Sequence, residues 1–180
     1  NNNVAIGALA LFTNVDGDNN IAIGSNALKT LEPADGASNN TAVGSNAGFA
    51  LATGTNNTFF GAYAGDLTDD GASNTAVGFS ALSANCGDYN VAIGMQSLLV
   101  NTASGNVAVG HDSLGDNVGG NNNTSVGTSS SALNSTGTHN TVVGSAALYN
   151  NRTGTYNTAI GNTALDSTTT GSSNVAIGNH

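Results

Sequence analysis

One pentapeptide recurs eleven times and constrains the fold more than any other feature of this chain. It reads Asn, then Val, Thr or Ile, then usually Ala, then Val or Ile, then Gly. Its glycines are Gly7, Gly24, Gly44, Gly61, Gly78, Gly94, Gly110, Gly127, Gly144, Gly161 and Gly178, at intervals of 17, 20, 17, 17, 16, 16, 17, 17, 17 and 17. A fixed short period means that one structural unit is stacked on itself. The variants are few: Asn57-Thr58-Phe59-Phe60-Gly61 carries two aromatics, and Ser125 stands where Ala is usual.

Two further signals keep the same phase. Three residues after each of the first ten glycines stands Ala or Ser, followed in most units by Leu, as at Leu28, Leu82, Leu98, Leu114 and Leu148. Gly48 and Gly65 replace that Leu twice, and near Ser130 the Ala132-Leu133 pair falls two residues late, which suggests a local bulge. A glycine also precedes the repeat Asn by three, as at Gly54, Gly71, Gly120 and Gly137.

Seventeen residues are too few for a helical-hairpin repeat or a propeller blade, whose periods run from ~33 to ~50. The alternation of β-branched and small residues before each Gly reads as a short strand. The stretch x-x-Ala-Leu reads as a second, and the Asn-, Asp- and Gly-rich remainder as a return turn. The expected fold is therefore all-β: a parallel β-solenoid, or β-roll, of about eleven coils with two short strands each. Residues 1–180 form one domain, and coils stacked at about 4.8 Å give a length of roughly 50 Å. Asn39-Asn40, Asn56-Asn57 and Asn122-Asn123 belong to an Asn ladder at the turn. The row Ile6, Ile23, Val43, Phe60, Val77, Ile93, Val109, Val126, Val143, Ile160 and Ile177 is expected to face the interior. The Thr-rich row two residues earlier shares that face, with Ala on the outside.

Composition limits the functions such a roll can carry. Eleven acids and two bases give a net charge of −9. With only Lys29 and Arg152, no basic footprint for nucleic acid exists. No apolar run approaches the ~20 residues of a membrane-spanning helix, so no direct membrane insertion is expected. One cysteine, Cys86, excludes an internal disulfide framework and a cysteine-based zinc site.

Rungs such as Asn20-Ile21-Ala22-Ile23-Gly24-Ser25-Asn26-Ala27 and Asn174-Val175-Ala176-Ile177-Gly178 resemble the head repeats of trimeric autotransporter adhesins, the YadA-like heads. Similar repeats occur in bacteriophage tail fibres. The resemblance covers essentially the whole chain. It implies a left-handed roll, a homotrimer and an adhesive or fibrous role outside the cell, at a cell surface or on a virion. Partners would then be further copies of the chain, as a homotrimer or an end-to-end fibre, and a surface protein or glycan. A thin coil with a small-residue face points the same way, since a small core rarely offsets chain entropy alone. Neither end of the sequence looks like a cap. The chain is accordingly expected to be a segment of a longer solenoid, or to stack end to end.

Candidate chemistry is sparse. No catalytic residue, metal ligand or cofactor is assigned. Asp16-Gly17-Asp18 and Asp69-Asp70-Gly71 have the oxygen ligands of a calcium loop, but the acids do not recur from rung to rung, so solvated turns are the expectation. His111, Asp112 and Ser113 are adjacent in sequence, whereas a triad is defined by geometry. Asn39, Asn122, Asn123, Asn134 and Asn151 each begin a glycosylation-type triplet, a pattern that an Asn- and Thr-rich repeat produces by chance. Two contact candidates remain. One is the loop in the 20-residue interval, Leu31, Glu32, Pro33, Ala34, Asp35 and Gly36. The other is the aromatic group Phe59, Phe60 and Tyr63. An ice-binding solenoid is the alternative from a different class, motivated by the regularly spaced Thr. Against it, those Thr would lie on the interior face.

Overall fold

The computed structural model describes residues 2–32 and 38–179. Each repeat contributes one three-residue strand: β1 (Val4–Ile6), β2 (Ile21–Ile23), β3 (Thr41–Val43), β4 (Thr58–Phe60), β5 (Thr75–Val77), β6 (Val91–Ile93), β7 (Val107–Val109), β8 (Thr124–Val126), β9 (Thr141–Val143), β10 (Thr158–Ile160) and β11 (Val175–Ile177). They form a single sheet in sequence order, every neighbouring pair parallel. The register is the one the period dictates: Ala5 lies against Ala22, and Ala92 against Ala108. The chain is thus a parallel β-solenoid with one coil per repeat.

The second strand expected over x-x-Ala-Leu does not form; the segment is a run of turns. In the second coil φ is +58° at Asn26 and +47° at Leu28, and the same two positions have positive φ in the other coils, as at Gln96 and Leu98. These turns still bond between coils: the Asn26 N–H donates back to Ala8 O at 2.8 Å, and the Leu28 N–H donates forward to Ala47 O at 3.0 Å. Left-handed backbone is costly for Leu. Burial of its side chain against the strand wall supplies the compensation. Nor is there a bulge near Ser130. Ser130 and Ser131 keep the Ala and Leu positions, with Ser131 N–H donating to Ala147 O at 2.9 Å.

The faces of the sheet are reversed relative to the sequence expectation. The interior row is Ala22, Ala42, Phe59, Ala76, Ala92, Ala108, Ser125, Val142 and Ala159, all buried. The Val/Ile row points outward, with Ile93 40% and Val143 41% exposed, and the Thr row points outward with it. The reason is volume. Leu28, Leu82, Leu98, Leu114 and Leu148 enter the coil from the turn wall and are fully buried. A coil this thin accepts a large residue from one wall only if the facing wall is small. The strand wall supplies Ala, and its β-branched residues take the other side.

The repeat glycines close each strand. Gly94 has φ +131°, and a Cβ there would stand 2.5 Å from Gly110 O in the next coil. The glycine before the repeat Asn is needed for the second reason alone: a Cβ on Gly120 would overlap Gly137 O. Its neighbour Gly119 has room, with only Thr136 Cγ2 at 3.8 Å. Gly94→Ala and Gly120→Ala should therefore each cost about 3 kcal/mol or more through strain and overlap with backbone. Gly119→Ala should stay within about 0.5 kcal/mol. Urea unfolding of the three variants checks this, and similar losses at positions 119 and 120 would refute the stacking argument.

Candidate interaction surface

An unbroken amide ladder fixes the sheet in place. The repeat asparagines from Asn20 to Asn157 are buried. Each backbone N–H donates to the side-chain Oδ1 of the preceding rung's Asn, from Asn20 on Asn3 to Asn174 on Asn157, at 2.8–3.0 Å. In most rungs Nδ2 donates to the carbonyl of the glycine that precedes the following rung's Asn, as Asn57 does to Gly71 O at 2.8 Å and Asn123 to Gly137 O at 2.8 Å. The first Asn of each Asn-Asn pair is different. Asn39, Asn56 and Asn122 are exposed, with positive φ.

A second ladder went unseen in the sequence. Asn101, Asn117, Asn134 and Asn151 are buried and pass hydrogen bonds along the stack, each Nδ2 to the preceding Oδ1 at 2.7, 2.7 and 2.6 Å. The same amides hold the turn glycines, as Asn117 Nδ2 donates to Gly120 O at 2.8 Å. The signal is the spacing Asn-x-x-Gly at Asn117, Asn134 and Asn151; at Asn101 the fourth residue is Ser104. In earlier coils Leu31 and Leu51 fill the corresponding place. Burial of Asn123, Asn134 and Asn151 withdraws them as glycosylation acceptors; Asn39 and Asn122 stay accessible.

The remaining candidates separate rather than converge. Ser113 is buried, its hydroxyl donating to Ser125 O at 3.0 Å and pairing with Ser130 Oγ at 3.1 Å, whereas His111 is exposed. The three residues therefore make no triad. Partial burial raises the pKa of the Asp112 carboxyl, with neighbouring His111 opposing and Asp116 assisting. Burial likewise raises Asp66, against a hydrogen bond donated by Ser83 Oγ at 2.5 Å. Asp16, Asp69 and Asp70 are exposed, and among the described residues no three His, Cys, Asp or Glu side chains gather as metal ligands. Cys86 is buried, in contact with Thr68 Oγ1 at 3.4 Å, and burial pushes its thiol up to about 11. Its reactive thiolate is correspondingly disfavoured.

Of the two contact candidates, the loop is only partly placed. Leu31 is buried and Glu32 is exposed, its carboxylate accepting from Val15 N–H at 3.3 Å; Pro33, Ala34, Asp35 and Gly36 lie outside the described residues. The aromatic group divides. Phe59 is a core residue, not a contact residue, because the alternation of the strand turns it inward. Phe60 and Tyr63 are exposed, and Phe79 meets Tyr63 edge-on with centroids 5.8 Å apart. His139 and Tyr156 are both exposed and stack with ring centroids 4.9 Å apart.

The surface that emerges is the outer side of the sheet. Each strand presents two residues there, from Val4 and Ile6 to Val175 and Ile177, and none is charged. Thr occupies six places in the first row, at 41, 58, 75, 124, 141 and 158, and the second row is Val or Ile except for Phe60. A contiguous exposed strip without charge is the kind of surface on which a partner can dock. Comparison of the chain with protein-family models, curated proteins and solved structures gave no match.

Proposed function

We propose that this chain is a structural and adhesive segment of an extracellular fibre or surface adhesin, built by side-by-side association of copies as a homotrimer of left-handed rolls, and without enzymatic activity. The observation that carries this reading is the uncharged Thr/Val/Ile strip running along all eleven strands. A chain with net charge −9 keeps its acids off that one face, where copies can meet without repulsion. Association buries the β-branched rows that the thin coil cannot take inside. A bacteriophage tail-fibre segment is the same reading in another setting. In either, the surfaces left exposed by association would bind a protein or glycan.

Sedimentation velocity or light scattering at micromolar concentration tests the association. A mass of three chains is expected; a stable monomer would sink the proposal.

A second reading gains from one observation. The six Thr stand outward on a regular lattice, so the objection that they line the interior falls. An ice-binding face needs flat, repeating hydroxyls and methyls. Phe60, 56% exposed, interrupts the flatness and favours association. Measurable thermal hysteresis would reverse that preference.

A further inference from the structure

We infer that Phe60 sets the axial register in which copies of this chain associate through the outer Thr/Val/Ile strip. This rests on the side-by-side reading above and adds to it a specific contact. The occupant of the strip is a second copy, on three grounds. The strip carries no charge, while the chain as a whole has eleven acids against two bases. Its residues repeat at the strand spacing of about 4.8 Å, so the surface that matches it over eleven rungs is one with the same repeat. A strip roughly 50 Å long and two side chains wide is on the order of 700 Å² per copy, the scale of the ~800 Å² a partner contributes to a standard interface, here shared between two neighbours.

Such a strip has a register problem. When copies run parallel around a common axis, each residue meets its own counterpart at the same height. Sliding one copy by a single rung sets Val or Ile against Val or Ile almost everywhere in one row, and Thr, Val or Ile against the same three in the other. Register is weakly specified wherever a pattern repeats so closely. Phe60 breaks the degeneracy, because it is the one aromatic among the outward residues of the strands. In register, the Phe60 rings of neighbouring copies share one layer and can pack on each other. One rung out of register, each ring is driven against Val43 or Val77 of a neighbour, and every copy must open a gap there. Tyr63, in the same coil, packs edge-on against Phe79 of the next coil, so the aromatic bulk is confined to these two adjacent rungs.

The test uses the full chain with a diazirine-bearing residue in place of Val126, mixed with isotope-labelled chain that lacks it. After irradiation, inter-chain insertions are mapped by mass spectrometry. Each rung gives distinguishable peptides. The expected insertion is into the partner's Thr124–Val126 rung, several-fold over the flanking Val107–Val109 and Thr141–Val143 rungs. With Phe60→Val, insertions should spread to both flanking rungs. Val is the row's own residue at five other rungs, so folding is expected to survive, and circular dichroism checks it.

An equal spread with and without Phe60 would overturn the register role. Oligomers that form without insertion at this strip would overturn the inference yet leave side-by-side association standing. A monomer by sedimentation would overturn both.

Discussion

Gly65→Leu is expected to destabilise the chain by about 3 kcal/mol or more, although Leu is the usual residue at that place in the repeat. The cause lies in the facing wall. Phe59 occupies a position of the Ala row and is fully buried. Its ring fills the space that two Leu side chains would otherwise take. A Cβ on Gly65 would stand 2.6 Å from Phe59 Cε1 and Cζ, and one on Gly48 would stand 2.7 Å from Leu28 Cδ2 and 2.9 Å from Phe59 Cδ2. Both glycines have φ near +60°, close to the values the Leu residues adopt elsewhere, so backbone conformation alone does not forbid Leu there. Phe59→Ala should itself cost about 3–5 kcal/mol, since it leaves a cavity between two glycines. The two changes together should cost less than their sum by about 2 kcal/mol, because the new Leu fills the space the ring vacates. Adding Gly48→Leu should restore the ordinary Ala-and-Leu packing. Additive losses from denaturant unfolding of the single and double variants would show that the three sites do not share one volume.

That exchange was half visible in the sequence, where the two glycines and the two phenylalanines each stood out as departures from the repeat. What was missing was the facing of the walls. Alternation along a strand tells which residues share a side, not which side is inside. Hydrophobicity pointed to Ile23, Val43 and Val77, and it misled. The deciding quantity is the width of the coil, fixed by Leu28 and its equivalents from the turn wall. The parallel pairing and its register followed directly from the 16–17-residue period. The turn conformation of x-x-Ala-Leu did not, because Leu has no preference for positive φ; it adopts that backbone at Leu28 or Leu98 under the demands of packing. The first Asn ladder was legible from invariant phase. The second, at Asn101, Asn117, Asn134 and Asn151, spans only part of the stack, and in the sequence its members at 134 and 151 stand out only as glycosylation-type triplets of the kind an Asn- and Thr-rich repeat produces by chance. That the Thr-rich and Val/Ile rows share one side of the strand was legible; that this side is the outer one was not.

Asn106→Asp is expected to be strongly destabilising at neutral pH and markedly less so in acid. Asn106 is fully buried. Its Oδ1 accepts from Asn123 N–H at 2.9 Å, and its Nδ2 donates to Gly120 O at 2.8 Å and to Asn101 Oδ1 at 3.3 Å. A carboxylate keeps the first bond and loses the others. It sets a negative oxygen against two carbonyl oxygens in a site without a cation. An uncompensated buried charge of this kind costs about 3–5 kcal/mol. Protonation relieves it, since a neutral carboxyl can donate to Gly120 O while still accepting from Asn123. The folded-state pKa of the introduced group must therefore lie above its unfolded value of about 3.9. The native variant then binds more protons than its unfolded chain between those two values. Its stability relative to the parent accordingly rises as pH falls through the folded-state pKa, and levels off below about pH 4. Asn106→Ala removes the same amide without adding charge, so its deficit, about 2–4 kcal/mol from the unpaired Asn123 N–H and Gly120 C=O, should not change with pH. Urea midpoints of both variants and the parent between pH 4 and pH 8 separate these outcomes. Parallel pH profiles for the Asp and Ala variants would mean that the ladder amide is solvated, and that these hydrogen bonds do not hold the rungs together.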